Sequence, residues 1–460
     1  MAVAQGSLPR QEPPPGPPAG VAATSLPPGP RMSSFLQTLA WTLAPTWFMR
    51  RCMRMVGEAF TVTFFPSGIR FVMLADPAAV KEVFTAPPDV APSAAGNSPI
   101  RPIVGSSSVL VTVGAEHLRQ RKLLLPPFHG ERMREYEQTI VAATRADMAT
   151  WPRGRPMRVQ PHSRAITLEV ILTAVFGVAD ERREPLRRAI SELMAPMNVL
   201  AILRIALSRP TGERPEGRFG AALERLDEVL YEEIRSHRAA GGLEERTDIL
   251  SLLMQARDEQ GEPMSDVELR DELVTLLLAG HETTATSVAW AIERLVRHPE
   301  KLARLQAEID AGSSEEYLNA VVNETLRVRP VVPIVARQLQ EDFEIGGRTI
   351  PAGTTVAPCI YLTNRNPRVY ERPEEFMPER FLSESPETFS WIPFGGGIRR
   401  CVGAAFAQLE MKLILRTVLV ELTPRLEGPW RRPGELTRRR AITLVPMSGA
   451  RVVWDEHAGG

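Results

Sequence analysis

The sequence predicts a mainly α-helical protein with small β-sheets at its periphery, folded as a single domain. Apolar residues recur at helical spacing through most of the chain between residues 76 and 422. Stretches rich in β-branched and aromatic residues are short, at 57–75, 334–360 and 440–454. No long flexible linker interrupts the chain after about residue 32, so one compact unit over residues 32–456 is expected.

The N-terminal region differs in composition from the rest of the chain. Residues 1–31 hold nine prolines together with glycines and small residues, which predicts a disordered or polyproline-like tail. Residues 34–54 then mix aromatic side chains with three arginines. A helix in weak association with a membrane surface is one interpretation of this segment. A first core-packing helix with a basic end is preferred, because Pro45 interrupts the amphipathic pattern.

Helices are predicted through most of the remaining chain, and loops rich in Pro, Gly, Arg and Ser between them. The predicted helices are 76–86, 115–128, 131–151, 163–176, 183–205, 217–238, 247–257, 265–297, 299–310, 314–328 and 402–422, and the predicted loops are 87–108, 206–216 and 363–398. The longest helix begins at a capping box formed by Ser265 and Glu268, and Pro299 marks its end. At 1.5 Å per residue this helix would span roughly 45–50 Å, enough to cross a domain.

The composition excludes several classes of function. Lys+Arg and Asp+Glu both number 55, so the formal net charge is zero, which argues against nucleic acid as an electrostatic partner. Cys52, Cys359 and Cys401 are too widely spaced for a disulfide framework and indicate a reducing compartment. No apolar run is long enough for a transmembrane helix, and no basic segment followed by an apolar core opens the chain. We therefore expect a cytoplasmic location.

Cys401 is the most informative residue, since it lies between the glycine run 395–397 and the predicted helix 402–422. The unpaired amides and the positive dipole end of a helix N-terminus favour a thiolate over a thiol, and Arg399 and Arg400 add positive charge. The glycines allow the loop to turn tightly and to approach a flat ligand. The pattern predicts a thiolate presented to a metal across a planar cofactor. A buried cysteine after a glycine loop is the alternative.

The residues around this cysteine match a known motif. The fixed positions of the haem-binding loop FxxGxRxCxG are occupied by Phe394, Gly397, Arg399, Cys401 and Gly403. On this motif, the chain from about Leu26 to Val453 resembles the soluble bacterial-type members of the cytochrome P-450 superfamily, the haem-thiolate monooxygenases. The resemblance implies a single triangular-prism fold, with haem b between the long central helix and the loop and helix that carry the cysteine. It makes Cys401 the axial iron ligand and assigns its loop, Gly395 included, to cofactor binding. Covalent haem attachment is excluded, because no C-x-x-C-H occurs.

The middle of the long helix carries a second signal, the six residues AGHETT at 279–284. A threonine there can bond to the carbonyl four residues back and open the helix locally. A zinc-protease motif is excluded, because position 285 is Ala and not the second His of HExxH. By resemblance, Ala279 and Gly280 leave space for substrate and dioxygen, while Glu282 and Thr283 form the acid–alcohol pair that supplies protons during oxygen activation. The alternative is an ordinary helix kink with a solvated glutamate.

Glu324 and Arg327 are three residues apart on a predicted helix, where opposite charges can pair. Alone, such a pair is usually a solvated surface contact. Together with Arg380, the two residues resemble a network that the family buries behind the thiolate loop. The resemblance therefore gives Glu324, Arg327 and Arg380 a structural role.

A further set of basic residues is assigned to the carboxylate edge of the cofactor. His117 and Arg121 are four residues apart and so lie on one helix face, and Arg337 follows an apolar run at a predicted strand. By resemblance, all three bind the haem propionates, the arginines through charge-assisted hydrogen bonds. Surface charge is the alternative for each of them.

The resemblance implies a monooxygenase that inserts one atom of dioxygen into an apolar small molecule of the fatty acid, terpenoid, steroid or polyketide class. Further substrate contacts are expected from the 87–108 loop and from residues 194–207, beside a set of apolar residues. The candidate pocket residues are Leu277, Val331, Val332, Val335 and Ile442. A peroxygenase or isomerase on the same scaffold, a non-catalytic haem carrier or sensor, and a scaffold protein without haem remain alternatives.

Electrons must come from another protein, because the chain has neither a cysteine cluster for iron–sulfur nor length for a flavin domain. A ferredoxin or flavodoxin with its NAD(P)H-dependent reductase is the expected partner of a monomeric enzyme. A basic docking patch for this partner is predicted from Arg119, Lys122, Arg399, Arg400 and Lys412. Solvated surface charge explains the same five residues equally well.

Overall fold

The computed structural model describes residues 26–94, 100–130, 132–177, 180–194, 215, 217–383, 387–427 and 434–457. Its α-helices are α1 Ser34–Leu43, α2 Pro45–Val56, α3 Pro77–Thr85, α4 Arg101–Val104, α5 Gly114–Leu124, α6 Arg132–Met148, α7 Val159–Phe176, α8 Asp180–Met194, α9 Gly217–Ala240, α10 Ile249–Gln255, α11 Asp266–Arg297, α12 Pro299–Ala311, α13 Glu316–Val328, α14 Ile360–Thr363, α15 Arg380–Ser383 and α16 Ala404–Glu421. The predicted mainly helical architecture is confirmed.

The strands are short and form four small sheets within these residues. They are β1 Ala59–Thr63, β2 Arg70–Leu74, β3 Pro156–Arg158, β4 Arg337–Gln338, β5 Phe343–Ile345, β6 Arg348–Ile350, β7 Thr355–Pro358, β8 Leu422–Arg425, β9 Thr437–Arg440, β10 Thr443–Pro446 and β11 Arg451–Glu456. The largest sheet has the order β1-β2-β7-β4, and the others are β3-β11-β8, β9-β10 and β5-β6. Strands β3 and β8 were not predicted, because three or four residues are too few to show a period of two.

The four-stranded sheet is covered on both faces. Strand β2 runs antiparallel to β1 and parallel to β7. As in any strand, its successive side chains point to opposite faces of the sheet. Val72 and Leu74 pack into one apolar cluster with α3, and Met73 packs into another with α1 and α2. The main core lies elsewhere, among α4 to α13 and α16. The sheet is therefore peripheral, as the sequence predicts.

Helix α11 has 32 residues and lies at the centre of the helical part, in contact with α7, α9, α13 and α16. The predicted capping box is present. The Ser265 hydroxyl accepts a hydrogen bond from the Glu268 amide, and the Glu268 carboxylate accepts one from the Ser265 amide over 2.8 Å. This start fixes the register of α11, and so fixes which of its residues face the site.

The segment 34–54 forms two helices and not one. Pro45 is the first residue of α2, where its missing amide hydrogen is not needed, and Ala44 separates it from α1. Trp41 and Phe48 are buried against the sheet, in agreement with the core-packing interpretation. Other large apolar residues of the two helices are exposed, which the core-packing interpretation does not explain. Within the described residues no helix is long and apolar enough to span a bilayer.

Residues 26–30, which the sequence assigned to the proline-rich tail, lie along strand β1. The Thr61 hydroxyl donates to the Pro27 carbonyl over 2.5 Å, and the Thr61 amide donates to the Pro28 carbonyl over 3.2 Å. The tail prediction for residues 1–25 falls outside the described residues. The same is true of most of the predicted loop 206–216 and of the end of the predicted helix 183–205.

Candidate active site

The loop that carries Cys401, residues 394–403, is called the thiolate loop below. Its backbone turns through Gly395 at φ 69° and Gly397 at φ 65°, left-handed values that glycine adopts without strain. The Cys401 amide donates to the Phe394 carbonyl over 3.0 Å, which closes the turn. The Cys401 side chain is exposed. Helix α16 begins three residues later, so the cysteine lies just before the helix and not in its first turn.

The glycine run is shaped by helix α3. A side chain at Gly396 would overlap the ring of Phe84, the penultimate residue of α3, and one at Gly397 would overlap the Phe84 carbonyl. The sequence assigned these glycines to the approach of a flat ligand. Within the protein, their close neighbour is a helix more than 300 positions away in the chain, which sequence spacing does not reveal.

In the metal-free protein, opposing effects act on the pKa of the Cys401 thiol. Burial on its protein side raises the pKa of the thiol, although a backbone hydrogen bond from Gly403 and the charges of Arg400 and Arg121 lower it. The side chain is open to solvent on its remaining side. The protein alone therefore favours the thiol over the predicted thiolate. A bound metal cation would reverse this preference, because a coordinating thiol loses its proton.

Helix α11 presents one accessible face in its middle. Ala279 is exposed and Thr283 is partly exposed, whereas Glu282 is buried. The Thr283 hydroxyl donates to the Ala279 carbonyl over 2.6 Å, which confirms the predicted bond to the residue four positions back. Gly280 also lies against α7, because a side chain there would come within 3.2 Å of Ile171. Its small size allows α7 and α11 to pack closely.

Glu282 is held by basic residues from two other elements. Arg164 on α7 approaches its two carboxylate oxygens at 2.8 and 2.9 Å, and Arg440 on β9 lies 3.7 Å away. The solvated glutamate of the alternative interpretation is thus excluded. Arg164 is 118 positions from Glu282, and no pattern in the sequence connects the two. The structure places the predicted acid and alcohol side by side on α11, with the acid clamped on the side of α7.

A second buried acid, Glu410 on α16, was missed by sequence reasoning. Burial raises its pKa to about 8, and the neighbouring Thr284 hydroxyl lowers it in part. One of its carboxyl oxygens has no hydrogen-bond partner among the described residues. Burial thus favours the protonated form of Glu410 at neutral pH, directly beside the AGHETT segment. A glutamate inside the apolar stripe of a predicted helix was the signal that could have identified it.

Three arginines lie close together beside the thiolate loop. The pKa of Arg399 falls to about 10 through burial and through the charges of Arg337 and Arg121. Arg399 donates to the carbonyls of Val109 and Thr112, Arg337 to that of Ala336, and Arg121 to that of Arg400. Among the residues that the structure describes, no carboxylate pairs with any of the three. The site is suited to an anionic ligand edge.

His117 lies beside these arginines, but it is engaged with the backbone. Its Nδ1 is 3.1 Å from the Val109 carbonyl, and its Nε2 is 3.5 Å from the Ile398 carbonyl in the thiolate loop. Burial, then the charge of Arg399, lowers the pKa of the imidazole to about 4. A neutral imidazole has one N–H and donates to only one acceptor. His117 thus connects the segment before α5 to the thiolate loop, a contact the sequence did not predict.

The predicted structural network is assembled. Arg327 makes a bidentate pair with Glu324 at 2.7 and 2.9 Å, both side chains fully buried, and Arg380 approaches Glu324 at 3.3 Å. Arg327 also donates to the carbonyl of Asn364 over 2.9 Å, and the Asn364 side chain accepts from the Ile392 amide. The network thus reaches the segment that leads into the thiolate loop. Asn364 was not identified from the sequence.

The remaining predicted residues divide into accessible and inaccessible groups. Ile442 is exposed, and Val332 and Val335 are partly exposed. Leu277 and Val331 are buried in the core, so they do not line the accessible face of α11. The predicted contacts at 195–207 lie outside the described residues.

The predicted basic docking patch is largely neutralised. Arg119 pairs with Asp258 and Glu268, Lys122 with Glu259, and Lys412 with Glu315. Arg399 is turned toward backbone carbonyls. Only Arg400 of the five is exposed with no acidic partner among the described residues.

These features together fit a haem. An accessible cysteine sulfur can serve as the axial iron ligand, and three uncompensated guanidinium groups can bind two propionates. Helix α16, which follows Cys401, packs against α11 and so connects the thiolate loop to the helix that carries Thr283.

Comparisons with known proteins agree with this arrangement. The family model described as Cytochrome P450 matches residues 26–430. A Mycobacterium tuberculosis protein provisionally named cytochrome P450 137 is 43% identical over 408 residues, covering 88% of this chain and 84% of that protein. Another from the same organism, provisionally named cytochrome P450 135B1, is 39% identical and covers 94% and 92%. The crystal structure of the cytochrome P450DA haem domain has a TM-score of 0.81 at 25% identity, covering 95% of this chain and 98% of that one. The chain belongs to the cytochrome P450 family.

Proposed function

We propose that this cytochrome P450 inserts one atom of dioxygen into an apolar small molecule of the fatty acid, terpenoid, steroid or polyketide class. Of the residues expected to contact the substrate, those that are at least partly exposed include Ala279, Val332, Val335 and Ile442, all small or aliphatic. They offer an apolar substrate contact area without a charged group to bind. Haem b, when bound, supplies the iron that activates dioxygen.

The observation that carries this proposal is the exposed Cys401. A backbone hydrogen bond closes its loop, and the helix that follows the loop, α16, packs against α11. Cys401 would hold the iron, and Arg121, Arg337 and Arg399, with His117 beside them, would hold the propionates. Thr283 would position a proton donor through a hydroxyl already bonded within the helix. Glu282, fixed by Arg164, would orient that hydroxyl and the water near it.

Electrons would come from a ferredoxin or flavodoxin and its NAD(P)H-dependent reductase, with the P450 acting as a monomer in the cytoplasm. The partly exposed Thr283 beside a buried, paired Glu282 supports a dioxygen-dependent reaction over the alternatives, because a peroxide-driven enzyme or a haem carrier does not need an acid–alcohol pair.

The proposal is tested first on Cys401. We expect Cys401→Ala to lose the haem pigment and the ferrous carbon-monoxide band. We expect Cys52→Ala, at a buried cysteine on α2, to keep both. A panel of apolar compounds is then screened for Soret shifts, followed by product analysis with reduced ferredoxin or with peroxide alone. Product formed with peroxide only would identify a peroxygenase, and ligand binding without any product would identify a carrier or sensor. Retention of the band in Cys401→Ala would refute the haem-thiolate assignment.

A further inference from the structure

Glu272 is a buried acid of α11 outside the acid–alcohol pair, about two turns before Ala279. One of its carboxyl oxygens accepts a hydrogen bond from the Val109 amide over 2.7 Å. The other has no hydrogen-bond partner within the described part of the chain. Burial, and then the charges of Asp271 and Glu268, raise the pKa of this carboxyl well above its usual value, although the bond from Val109 lowers it in part. The neutral acid is therefore favoured.

The segment that this carboxyl group contacts, residues 105–112, is called the edge segment below. Two further side chains of α11 hold it. The Ser107 amide donates to the Asp271 carboxylate over 2.9 Å, and the hydroxyl groups of Ser108 and Thr275 are 2.6 Å apart. One face of α11 thus fixes the backbone of the edge segment at consecutive residues.

The other side of the edge segment faces the basic residues beside the thiolate loop. Val109, whose amide is held by Glu272, presents its carbonyl to two of them. This carbonyl is 3.1 Å from Nδ1 of His117 and 3.5 Å from Nη1 of Arg399. Arg399 also donates to the Thr112 carbonyl. The guanidinium group therefore takes its orientation from two carbonyls of the edge segment, and a shift of Val109 would move one of these acceptors.

We propose that Glu272 is a positioning residue for the haem site, which acts through the Val109 amide to fix the carbonyls that orient Arg399 toward the propionates. Glu272 serves as a neutral hydrogen-bond acceptor and not as a charge, because no cation pairs with it in the described part of the chain. This role rests on the proposed haem binding at Cys401.

A positioning role and a purely structural role differ in their effect on the reduction potential of the haem. A guanidinium group held near the propionates stabilises the reduced haem, which carries one positive charge fewer than the oxidised form. Displacement of Arg399 should therefore lower the midpoint potential. A side chain that only satisfies a buried amide would change the stability of the fold and leave the potential as it is.

The test compares Glu272→Ala with Glu272→Gln in the haem-loaded protein. The glutamine is neutral and keeps an oxygen that accepts from the Val109 amide, so its midpoint potential should equal that of the wild type. The alanine leaves this amide without an acceptor. Its midpoint potential should shift to a more negative value, and it should lose haem to apomyoglobin about fivefold faster. The potential is measured by spectroelectrochemical titration.

The matched control is Glu293→Gln, at a buried acid of α11 that pairs with Arg294 and Arg297 about 30 Å further along the helix. It should lower the melting temperature and leave the midpoint potential unchanged, which separates loss of helix stability from loss of positioning. A potential shift in this control as large as that of Glu272→Ala would overturn the proposal.

Two other results would also overturn it. Glu272→Ala could lower the melting temperature and keep the wild-type potential, which would leave Glu272 a structural role alone. Glu272→Gln could shift the potential to a more positive value, which is the effect of removing a negative charge. A wild-type protein without the ferrous carbon-monoxide band would instead refute the haem assignment, so the two failures are distinguishable.

Discussion

At Glu410, burial favours the protonated form of a carboxyl group. Its carboxyl group is on the buried side of α16, beside the Thr284 hydroxyl of α11. A charge there would be separated from water, and no cation in the described part of the chain pairs with it, so the protonated form is favoured. The group adds a fixed proton to the environment of the AGHETT segment, while Glu282 nearby is held by arginine.

This assignment predicts a pH dependence of stability. The folded state keeps the Glu410 proton up to about pH 8, whereas an unfolded glutamate releases it near 4.5. Between these values the folded state binds more protons, so the free energy of unfolding falls as the pH rises, by up to about 1.4 kcal/mol per pH unit. The contribution is complete below 4.5 and is lost by about 8. We expect Glu410→Gln to remove this slope in urea unfolding across that range.

A control at the end of the same helix separates burial from position. Glu421 closes α16 and its side chain is 48% exposed. Glu421→Gln should therefore leave the slope of the wild type unchanged. A Glu410→Gln protein with the full slope would show that the carboxyl group is not the proton-binding site.

At the scale of elements, the contact between α3 and the thiolate loop sets the position of the cysteine. Phe84 approaches the loop in two ways: its ring faces Gly396 and its carbonyl faces Gly397. A flexible side chain could move aside for an added methyl group, but a backbone carbonyl in a helix could not. The two glycines are therefore constrained to different degrees by one neighbouring residue.

A double-mutant cycle distinguishes the two constraints. Gly396→Ala should lower haem content and melting temperature, and Phe84→Ala should rescue part of this loss because it removes the ring. Gly397→Ala should cause a larger loss, since the backbone clash and the left-handed φ both remain, and Phe84→Ala should not rescue it. Haem content is measured from the ferrous carbon-monoxide spectrum. Equal rescue of both glycine variants would mean that the ring alone imposes the packing.

Some features of helix α11 can be predicted from the sequence, and others depend on its contacts with other helices. Its capping box and the Thr283 bond to Ala279 involve residues three or four apart, so both can be predicted from the sequence. The clamp of Arg164 on Glu282 and the packing of Ile171 on Gly280 depend on how α7 crosses α11. Crossing geometry follows from the whole core and has no local signature.

At the scale of the whole molecule, the same distinction applies to the fold. Helix positions could be predicted from periodicity. The capping residues, Cys401, Glu324 and Arg327 could be predicted from the spacing of short motifs. The partners in long-range contacts could not be predicted from the sequence, as Asn364, Glu410 and Phe84 illustrate. Surface charge is the clearest case, because the five basic residues predicted to form one patch have different partners in the folded chain.

The distribution of charge around the cysteine yields a final prediction for electron transfer. Arg400 is exposed, adjacent to Cys401, and without an acidic partner among the described residues, so it is free to contact an acidic redox protein. Lys122 must first leave Glu259 to make such a contact. A contact charge at 4 Å in water contributes about 1 kcal/mol, or about fivefold in rate or affinity. We expect Arg400→Gln to slow reduction by an acidic ferredoxin about fivefold at low salt and to reduce the salt dependence.

The matched comparison is Lys122→Gln with Glu259→Gln, which deletes an ion pair and leaves the net charge unchanged. Because the two charges already cancel at a distance, this pair of substitutions should leave the stopped-flow reduction rate and its salt dependence as in the wild type. The ferrous carbon-monoxide spectrum provides the check that neither variant disturbs haem binding. If the pair deletion slowed reduction as much as Arg400→Gln, the redox partner would have to displace Glu259 and use Lys122 directly, and the neutralised residues would belong to the docking surface after all.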